Sequence, residues 1–418
     1  MMPHFMLDIE QKIGGPQFVT TQFYRSYDMR PFKRMKQRRK SRAFKLLLAP
    51  IFERFKSDNV LESRGYRPLQ MTFDDQLKAL IFYHLEEYSS GSELLQALEQ
   101  DDFAKECVAS PKGIKKSAFF EAINNRGLEQ LSEVFTHLVK QAGTALPAEY
   151  AHLGNLVSID GSLIDAVLSM EWADYRSGSK KAKAHIGFDI NRGIPRKIFL
   201  TDGKEGERPF VDKIIDKGET GVMDRGYQSH GHFDQWQEAE KFFVCRIREN
   251  THKTVIRENA VNPDSIVFYD QIVLLGTKGI NQTKKELRLV GYRIDGKDFW
   301  VATNRYDLTA EEIAEVYKLR WNIETFFGWW KRHLKVYHLI ARSEYGLMVQ
   351  ILGGLITYLL LAIYCREQHQ EPVSISRVRE LRYQIANEAT ESQSQRTKKQ
   401  GNSNKIRKLK HKKRRAKT

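Results

Sequence analysis

The chain has 418 residues, of which 41% are hydrophobic and 11% aromatic, so it can form two or three domains with real cores and is not a disordered protein. Its formal net charge of +16 favours a polyanionic partner, and nucleic acid is the commonest of these. The three cysteines are far apart and show no CxxC or Cys/His spacing, which argues against a disulfide framework or a zinc site and favours a reducing compartment.

The positive charge is concentrated in two segments. Arg30–Arg42 contains 8 basic residues in 13, and the chain from Arg396 to its end contains 12 Lys or Arg and no acid. A basic tail is either a solvated, disordered end or an arm that attracts a phosphate backbone. We therefore expect residues 371–418 to form a polar to strongly basic C-terminal tail that is partly disordered.

Residues 1–145 are predicted to be mostly helical. Asp74–Tyr88, Ser92–Phe103 and Leu128–Gln141 space their apolar residues as amphipathic helices do. Short helices behind a basic leader suit a DNA-binding domain, but they equally suit an ordinary helical bundle, because no helix-turn-helix signature distinguishes the two.

A different pattern, of short apolar strands alternating with helices, occupies residues 150–250. This order predicts a mixed sheet with helices packed against it, an α/β fold. Asp160 and Asp224 are predicted to end the first and fourth strands, where an Asp is also common simply as a turn residue. The predicted strands are Leu156–Asp160, Ala184–Ile190, Ile194–Leu200, Gly221–Asp224 and Phe242–Ile247.

Residues 251–302 read as strands only, which predicts a β-rich insertion, and helices return over residues 303–370. The strands predicted in the insertion are Ile266–Tyr269, Gln271–Leu275, Glu286–Ile294 and Phe299–Ala302. Trp300, at the end of the insertion, is either a core residue beside Phe299 or an aromatic surface for stacking. Leu347–Cys365 is nearly apolar over 19 residues. That segment is either a membrane span or a buried helix, and the rest of the chain favours the buried helix.

A helix predicted from Thr309 to Leu334 carries four polar residues on one side. Tyr317, Arg320, Glu324 and Lys331 have offsets of 0, 3, 7 and 14 residues, which fall within about 60° on a helical wheel. Such a stripe is ordinarily a solvated face with charge pairs. A carboxylate between two cations and a phenol also suits a site where the carboxylate holds a metal and the cations hold phosphates.

Asp160, Asp224 and Glu324 can be brought together by a sheet edge and a helix face, although they are distant in sequence. Three carboxylates at one point would repel one another strongly without cations. Two divalent ions about 3.5–4 Å apart would remove that repulsion and support in-line attack on a phosphodiester.

The spacing Tyr317-x2-Arg320-x3-Glu324-x6-Lys331 resembles the Y-(2)-R-(3)-E-(6)-K signature of DDE transposases from bacterial insertion sequences, the family built around insertion sequence four. The segments SIDGSLI and VMDRGY, around Asp160 and Asp224, are similar to its two aspartate motifs. The resemblance covers about residues 150–370.

The resemblance implies a ribonuclease-H-like mixed sheet with helices on both faces. Residues 150–250 and 303–370 would form this catalytic domain, residues 251–302 would be the β-rich insertion before the last catalytic helix, and residues 1–145 would be the helical N-terminal domain that binds transposon ends. Asp160, Asp224 and Glu324 would be catalytic and would hold two Mg²⁺ ions, with Mn²⁺ as a substitute.

The remaining site residues would bind DNA. Arg320 and Lys331 would grip backbone phosphates, Tyr317 would orient a phosphate, and Trp300 would stack on a flipped base. Arg225 would also bind a phosphate, unless it forms an ordinary surface salt bridge.

The expected function is therefore a transposase that binds terminal inverted repeats, cleaves DNA at the ends of an insertion sequence and joins the 3′ ends to target DNA. Double-stranded DNA would be its partner, a homodimer would bring two ends together, and a cytoplasmic, nucleoid-associated bacterial location with no membrane is expected. The alternatives are a ribonuclease-H-like nuclease or resolvase without strand transfer, and an inactive repressor that only occupies ends.

Overall fold

The computed structural model describes residues 42–52, 69–101, 103–108, 113–167, 169–176 and 179–388. Most of the predicted basic leader and the basic segment from Arg396 lie outside these ranges. The helices in the described ranges, apart from single turns, are α1 (Arg42–Leu47), α2 (Ala49–Phe52), α3 (Phe73–Leu85), α4 (Gly91–Gln100), α5 (Lys116–Asn125), α6 (Leu128–Ala145), α7 (Val211–Ile214), α8 (His230–Glu238), α9 (Ala310–Leu319), α10 (Trp321–His333), α11 (Glu344–His369) and α12 (375–388).

The strands of the described residues form one mixed sheet. They are β1 (Leu156–Asp165), β2 (Asp174–Arg176), β3 (Ser179–Asp189), β4 (Ile194–Asp202), β5 (Thr220–Met223), β6 (Phe242–Arg246), β7 (Lys253–Glu258), β8 (Val267–Leu275), β9 (Leu287–Ile294) and β10 (Lys297–Thr303). The order across the sheet is β2-β3-β1-β5-β6-β10-β9-β8-β7, and β4 also pairs with β3.

The first five long strands have the arrangement expected of a ribonuclease-H-like core. β4, β3 and β1 are joined by antiparallel pairing, whereas β1, β5 and β6 run parallel to one another. The parallel strands are connected through the short helix α7 and through α8, as crossover connections require. The predicted fold class, a mixed sheet with helices on both faces and a helical region on its N-terminal side, is confirmed.

The strands predicted as an insertion extend this sheet. β10 pairs antiparallel with β6, and β9, β8 and β7 follow it outward. Two segments predicted as separate strands, Ile266–Tyr269 and Gln271–Leu275, are the single strand β8. β7 was not predicted as a strand, because its side chains are mostly exposed and give no apolar pattern.

Both faces of the sheet are covered by apolar packing. One cluster joins the sheet to α3, α6, α9, α10 and α11, and the other packs α7 and α8 on the opposite face. β1 shows the alternation that this requires, since Val157 and Ile159 belong to the second cluster and Leu156 and Ile164 to the first. Asp160 has the parity of Leu156, so it lies on the face covered by α10.

Helix α11 joins the N-terminal helices to the sheet. It packs against α3, α5 and α6, and its apolar residues share one core with the N-terminal helices and α10. In the described part of the chain it is a helix long and apolar enough to cross a membrane, but its most apolar window is 100% buried inside the protein. The prediction of a buried core helix therefore matches its packing.

Three predicted boundaries were wrong. The helix predicted from Thr309 to Leu334 is interrupted at Arg320, where Arg320 N–H and Ile323 N–H bond to carbonyls only three residues back. β1 does not end at Asp160 but continues to Asp165, because it keeps pairing with β3. The expected tail does not begin at residue 371, because α12 buries three apolar side chains in the core: Val378, Leu381 and Ile385.

Candidate active site

The two aspartates lie at the same level of two neighbouring parallel strands. β1 and β5 pair in the register Ser158↔Val222, so two residues further on Asp160 stands level with Asp224. β5 ends at Met223, and Asp224 accepts a hydrogen bond from Gly226 N at 2.8 Å, which caps the short turn after the strand. The sequence therefore brings both acids to the edge where the parallel pairing stops, with β1 continuing past it.

Asp160 lies near two other acids, Glu207 and Glu324. Its pKa is raised to about 7, mainly by burial, then by the carboxylates of Glu207 and Glu324, and this is opposed by its hydrogen bond from Gly161 N and by Arg320. Asp160 and Glu324, predicted to share a site, therefore interact in the structure. Burial is the main cause of this rise, and the two neighbouring carboxylates add to it.

Glu207 is an acid of this site that the sequence did not reveal. It precedes the single turn Arg208–Phe210, and its Oε1 lies 3.5 Å from Lys183 Nζ. A Cβ built on Gly161 would lie 2.6 Å from that same oxygen. Glu207 belongs to no recognisable spacing, because the β4–α7 connection brings it to β1 through tertiary structure alone.

Glu324 is held on α10 by the arginine one turn before it. Arg320 Nη1 lies 2.5 Å from Glu324 Oε1, while Glu324 Oε2 is buried and has no hydrogen-bond partner among the described residues. The guanidinium also lies 5.7 Å from the ring of Tyr317 and 5.3 Å from that of Trp321. One oxygen of this carboxylate is thus fixed, and the other remains available to a ligand.

Tyr317 and Arg320 are both buried. Their exposed fractions are only 2% and 8%, because the polar stripe faces the sheet instead of the solvent. Their side chains are therefore largely covered by protein in this arrangement. Tyr317 lies behind Arg320, and Arg320 positions Glu324.

Lys331 remains closer to the surface. Its Nζ donates a hydrogen bond to Leu163 O at 2.9 Å, on the extension of β1 beyond Asp160. Burial lowers the pKa of Lys331, an effect opposed by the carboxylates of Asp165 and Asp160. Lys331 thus ties α10 to β1 and brings a positive charge to the rim of the acidic pocket.

Arg225 and Trp300 lie together at a neighbouring cavity of about 650 Å³. Arg225 is exposed, whereas the ring of Trp300 packs edge-on against Phe268 and Tyr269. Lys253 Nζ lies 4.2 Å from the Trp300 ring centre. Trp300 is therefore half-buried against the second apolar cluster and also lines the cavity. A base stacking on the face under Lys253 would have to displace that lysine. The other cavity residues are Arg246, Ile247, Arg248, Glu249, Asn250 and Asp298.

The donor set suits a divalent cation in its chemistry. Mg²⁺ prefers hard oxygen ligands with excess negative charge. The carboxylates of Asp160 and Glu324 are such ligands, and Glu324 Oε2 has no hydrogen-bond partner among the described residues. In the described part of the chain, however, no group of three or more His, Cys, Asp or Glu is gathered closely enough to hold a metal ion. A complete coordination shell would require the carboxylates to rotate towards one another.

The sequence of this chain is similar to that of known proteins. The family described as transposase DDE domain matches residues 152–360. A probable transposase for insertion sequence element IS5377 of Geobacillus stearothermophilus is 29% identical over 210 residues, which is 50% of this chain and 56% of the relative. The putative transposase y4zB of Sinorhizobium fredii is 31% identical over 201 residues, with coverage of 47% and 56%.

Further similarity is found to a putative transposase for IS4SA of Synechocystis sp., 27% identical over 258 residues, 59% of this chain and 71% of the relative. A solved piggyBac transposase synaptic complex with hairpin DNA aligns with a TM-score of 0.42 and 12% identity, over 85% of this chain and 81% of that chain. The match spans little more than half the length of the first two relatives. Since the family match takes in half of this chain and includes Asp160, Asp224 and Glu324, the protein belongs to the DDE transposases of insertion sequences.

Proposed function

We propose that this protein binds the terminal inverted repeats of an insertion sequence, cleaves DNA at its ends and joins the 3′ ends to target DNA. The observation that carries this proposal is the arrangement of three acids. Asp160 and Asp224 stand in register at one sheet edge, and Glu324 interacts with Asp160 from the helix above, with one oxygen unpartnered.

Both proposed reactions are phosphoryl transfers at one site. In cleavage, the oxygen of water forms a bond to phosphorus while the bond to the 3′ oxygen breaks, and that oxygen gains a proton to become a hydroxyl. In joining, the same 3′ oxygen loses its proton, bonds to a target phosphorus and displaces a target 3′ oxygen. Two Mg²⁺ ions bound by Asp160, Asp224 and Glu324 would supply activation of the attacking oxygen and stabilisation of the leaving one.

The protein residues around the acids have supporting roles in this proposal. Arg320, packed against Tyr317, keeps Glu324 in one orientation, so that its Oε2 is available to a metal ion. Lys331 lies at the rim, where it would meet a phosphate. The cavity beside Asp224 carries three arginines, Arg225, Arg246 and Arg248, which would follow the DNA backbone away from the site.

Double-stranded DNA, as transposon ends and as target, is the proposed partner, and a homodimer would hold two ends in one complex. The N-terminal helices are proposed to bind the ends. Because α11 packs on α3, α5 and α6, an end held there would be fixed relative to the sheet that carries the acids. The proposed location is the cytoplasm of a bacterium, at the nucleoid.

A strand-transfer assay tests this function. The full chain is mixed with its inverted-repeat DNA, intact or cut beforehand, with a supercoiled target plasmid and Mg²⁺. We expect nicking of intact ends and joining of pre-cut ends, with both lost in D160N, D224N and E324Q while end binding is retained. Nicking without joining would support a nuclease, and end binding without either reaction would support a repressor.

A further inference from the structure

Glu207 lies beside β1 at the position where the chain has no side chain. Gly161 follows Asp160, and a Cβ at Gly161 would lie 2.6 Å from Glu207 Oε1 and 2.9 Å from Glu207 Cδ. Real Cβ atoms do not approach other atoms so closely, so the carboxylate of Glu207 fills the space that a side chain at 161 would need. The glycine therefore admits a carboxylate next to the proposed catalytic aspartate.

The charge of Glu207 is only partly balanced. Lys183 Nζ lies 3.5 Å from Glu207 Oε1, but the same ammonium donates a hydrogen bond to Glu205 O at 2.6 Å. Glu207 is also the acidic neighbour that acts most strongly on Asp160, ahead of Glu324. Glu207 thus reaches β1 beside Gly161, one residue after Asp160, with Lys183 as its ion-pair partner.

A buried hydroxyl, that of Tyr227, lies near Glu207. Tyr227 is 1% exposed, and its hydroxyl makes no hydrogen bond of ordinary length to a described residue. Burial raises the pKa of Tyr227, and so do the carboxylates of Glu207, Asp160 and Asp224 and a long hydrogen bond to Glu207. A buried polar group left in this way is costly unless a ligand or an ordered shell completes it.

We propose that Glu207 is a fourth carboxylate of the active site and that it shares a divalent cation with Asp160, beside β1 where Gly161 carries no side chain. The inference deepens the proposed function and rests on it. The cation would balance the charges of the Glu207 and Asp160 carboxylates. Tyr227 would donate a hydrogen bond to a carboxylate oxygen that the cation does not bind. Neither Glu207 nor Tyr227 belongs to the four-residue signature or to the triad of acids.

Binding of Mg²⁺ alone to the DNA-free full chain tests the inference, measured by titration calorimetry and by the rise in melting temperature. We expect E207Q to weaken Mg²⁺ binding roughly 10–100-fold, the range found when groups around a metal site are removed. E205Q is the matched control, because Glu205 is exposed and two residues away. Its affinity should stay within about twofold of the unaltered protein, since a distant exposed charge is screened.

The variant G161A tests the same contact from the other side. Its new Cβ must push the Glu207 carboxylate away while both acids remain, so it should also weaken Mg²⁺ binding. In the double variant with E207Q, the two losses should not add, because both remove one contact. Additive losses would overturn the inference, and so would a loss in E207Q that disappears at about 0.5 M KCl, where screening removes effects of charge at a distance.

The failure of this inference can be told from failure of the proposed function. If D160N and E324Q weaken Mg²⁺ binding and E207Q does not, Glu207 lies outside the cation site and the proposed function stands. If D160N and E324Q leave Mg²⁺ binding unchanged, the acids do not hold the ion and both proposals fall. E207D is a folding control, since it keeps the charge and should retain part of the affinity.

Discussion

Arg320 and Glu324 form an ion pair in which one carboxylate oxygen is fixed and the other is left free. Arg320 Nη1 lies 2.5 Å from Glu324 Oε1, and the buried Oε2 has no hydrogen-bond partner among the described residues. Arg320 directly precedes α10, four residues before Glu324, and its guanidinium lies near the rings of Tyr317 and Trp321. An unpaired carboxylate rotates freely, whereas this one presents a single oxygen in a set direction.

The first prediction follows from this pair. Replacing Arg320 with Gln should lower the rate of end cleavage by roughly 10²–10³-fold, as for loss of one preorganised electrostatic group. Affinity for end DNA should fall little, and the slope of its salt dependence should not change, because Arg320 is 8% exposed and already paired. The measurements are single-turnover cleavage and binding titrations between 50 and 300 mM KCl, roughly the range over which phosphate contacts show their salt dependence.

Lys318→Gln is the control for this variant, because Lys318 is exposed on the neighbouring helix. It should cleave at the normal rate. If the salt dependence of end binding has a slope about one unit smaller in R320Q, Arg320 binds a DNA phosphate, as its place in the polar stripe predicts.

The second prediction concerns pH. The folded protein holds a proton on Asp160 with a pKa of about 7, against an ordinary value of 3.8. Between these values the folded state binds more protons than the unfolded state, so metal-free stability falls as pH rises towards 7. The full difference between the two pKa values would correspond to about 4 kcal/mol in the free energy of unfolding, and partial exposure of Asp160 reduces that value.

The variant D160N should remove this dependence. In EDTA it should be more stable than the unaltered protein at pH 8, and the gap should close as pH falls towards 5, as measured by urea unfolding. Mg²⁺ should stabilise the unaltered protein at pH 8 and have little effect on D160N. D165N serves as comparison, since Asp165 is exposed on the same strand. Equal stability of D160N and the unaltered protein at both pH values would show that Asp160 is not under electrostatic strain.

The sequence predicted the local part of this site well. Spacing along a helix is a local property, so it placed Tyr317, Arg320 and Glu324 on one side, and the structure brings all three into contact. The apolar residues on the other side are buried, as amphipathic spacing predicts. Asp224 was correctly placed at the end of a strand, because β5 is short and bounded by turn residues.

What could not be predicted depends on how elements pack. A helical wheel cannot show whether a polar stripe meets solvent or a sheet edge, so the burial of Tyr317 and Arg320 was missed. Glu207 lies in a connection whose path to β1 is set by tertiary structure. The predicted insertion joins the main sheet through one long-range strand pairing, that of β10 with β6. Strand propensity contains no information about such partners.

The third prediction tests the basic cavity beside Asp224. Arg246→Ala and Arg248→Ala should each weaken end binding and reduce its salt slope by about one unit, with little sequence dependence, because each would contact a phosphate. Arg379→Ala is the control, since Arg379 is exposed on α12, which docks on the N-terminal helices and α11. Unchanged binding in both cavity variants would place the DNA elsewhere on the protein.

The last prediction separates the basic C-terminal segment from the chemistry. Ending the chain at Thr397 removes eleven of its basic residues but retains α12, whose Val378, Leu381 and Ile385 complete the core. Affinity for non-specific DNA should therefore fall, most strongly at low salt, where counterion release dominates binding. Cleavage of bound ends at saturating DNA should be unchanged, because no part of the acidic site is removed. A second truncation that ends before residue 375 is the contrasting control and should lower the melting temperature. Loss of cleavage in the first truncation at saturating DNA would show that the basic segment takes part in assembling the active complex.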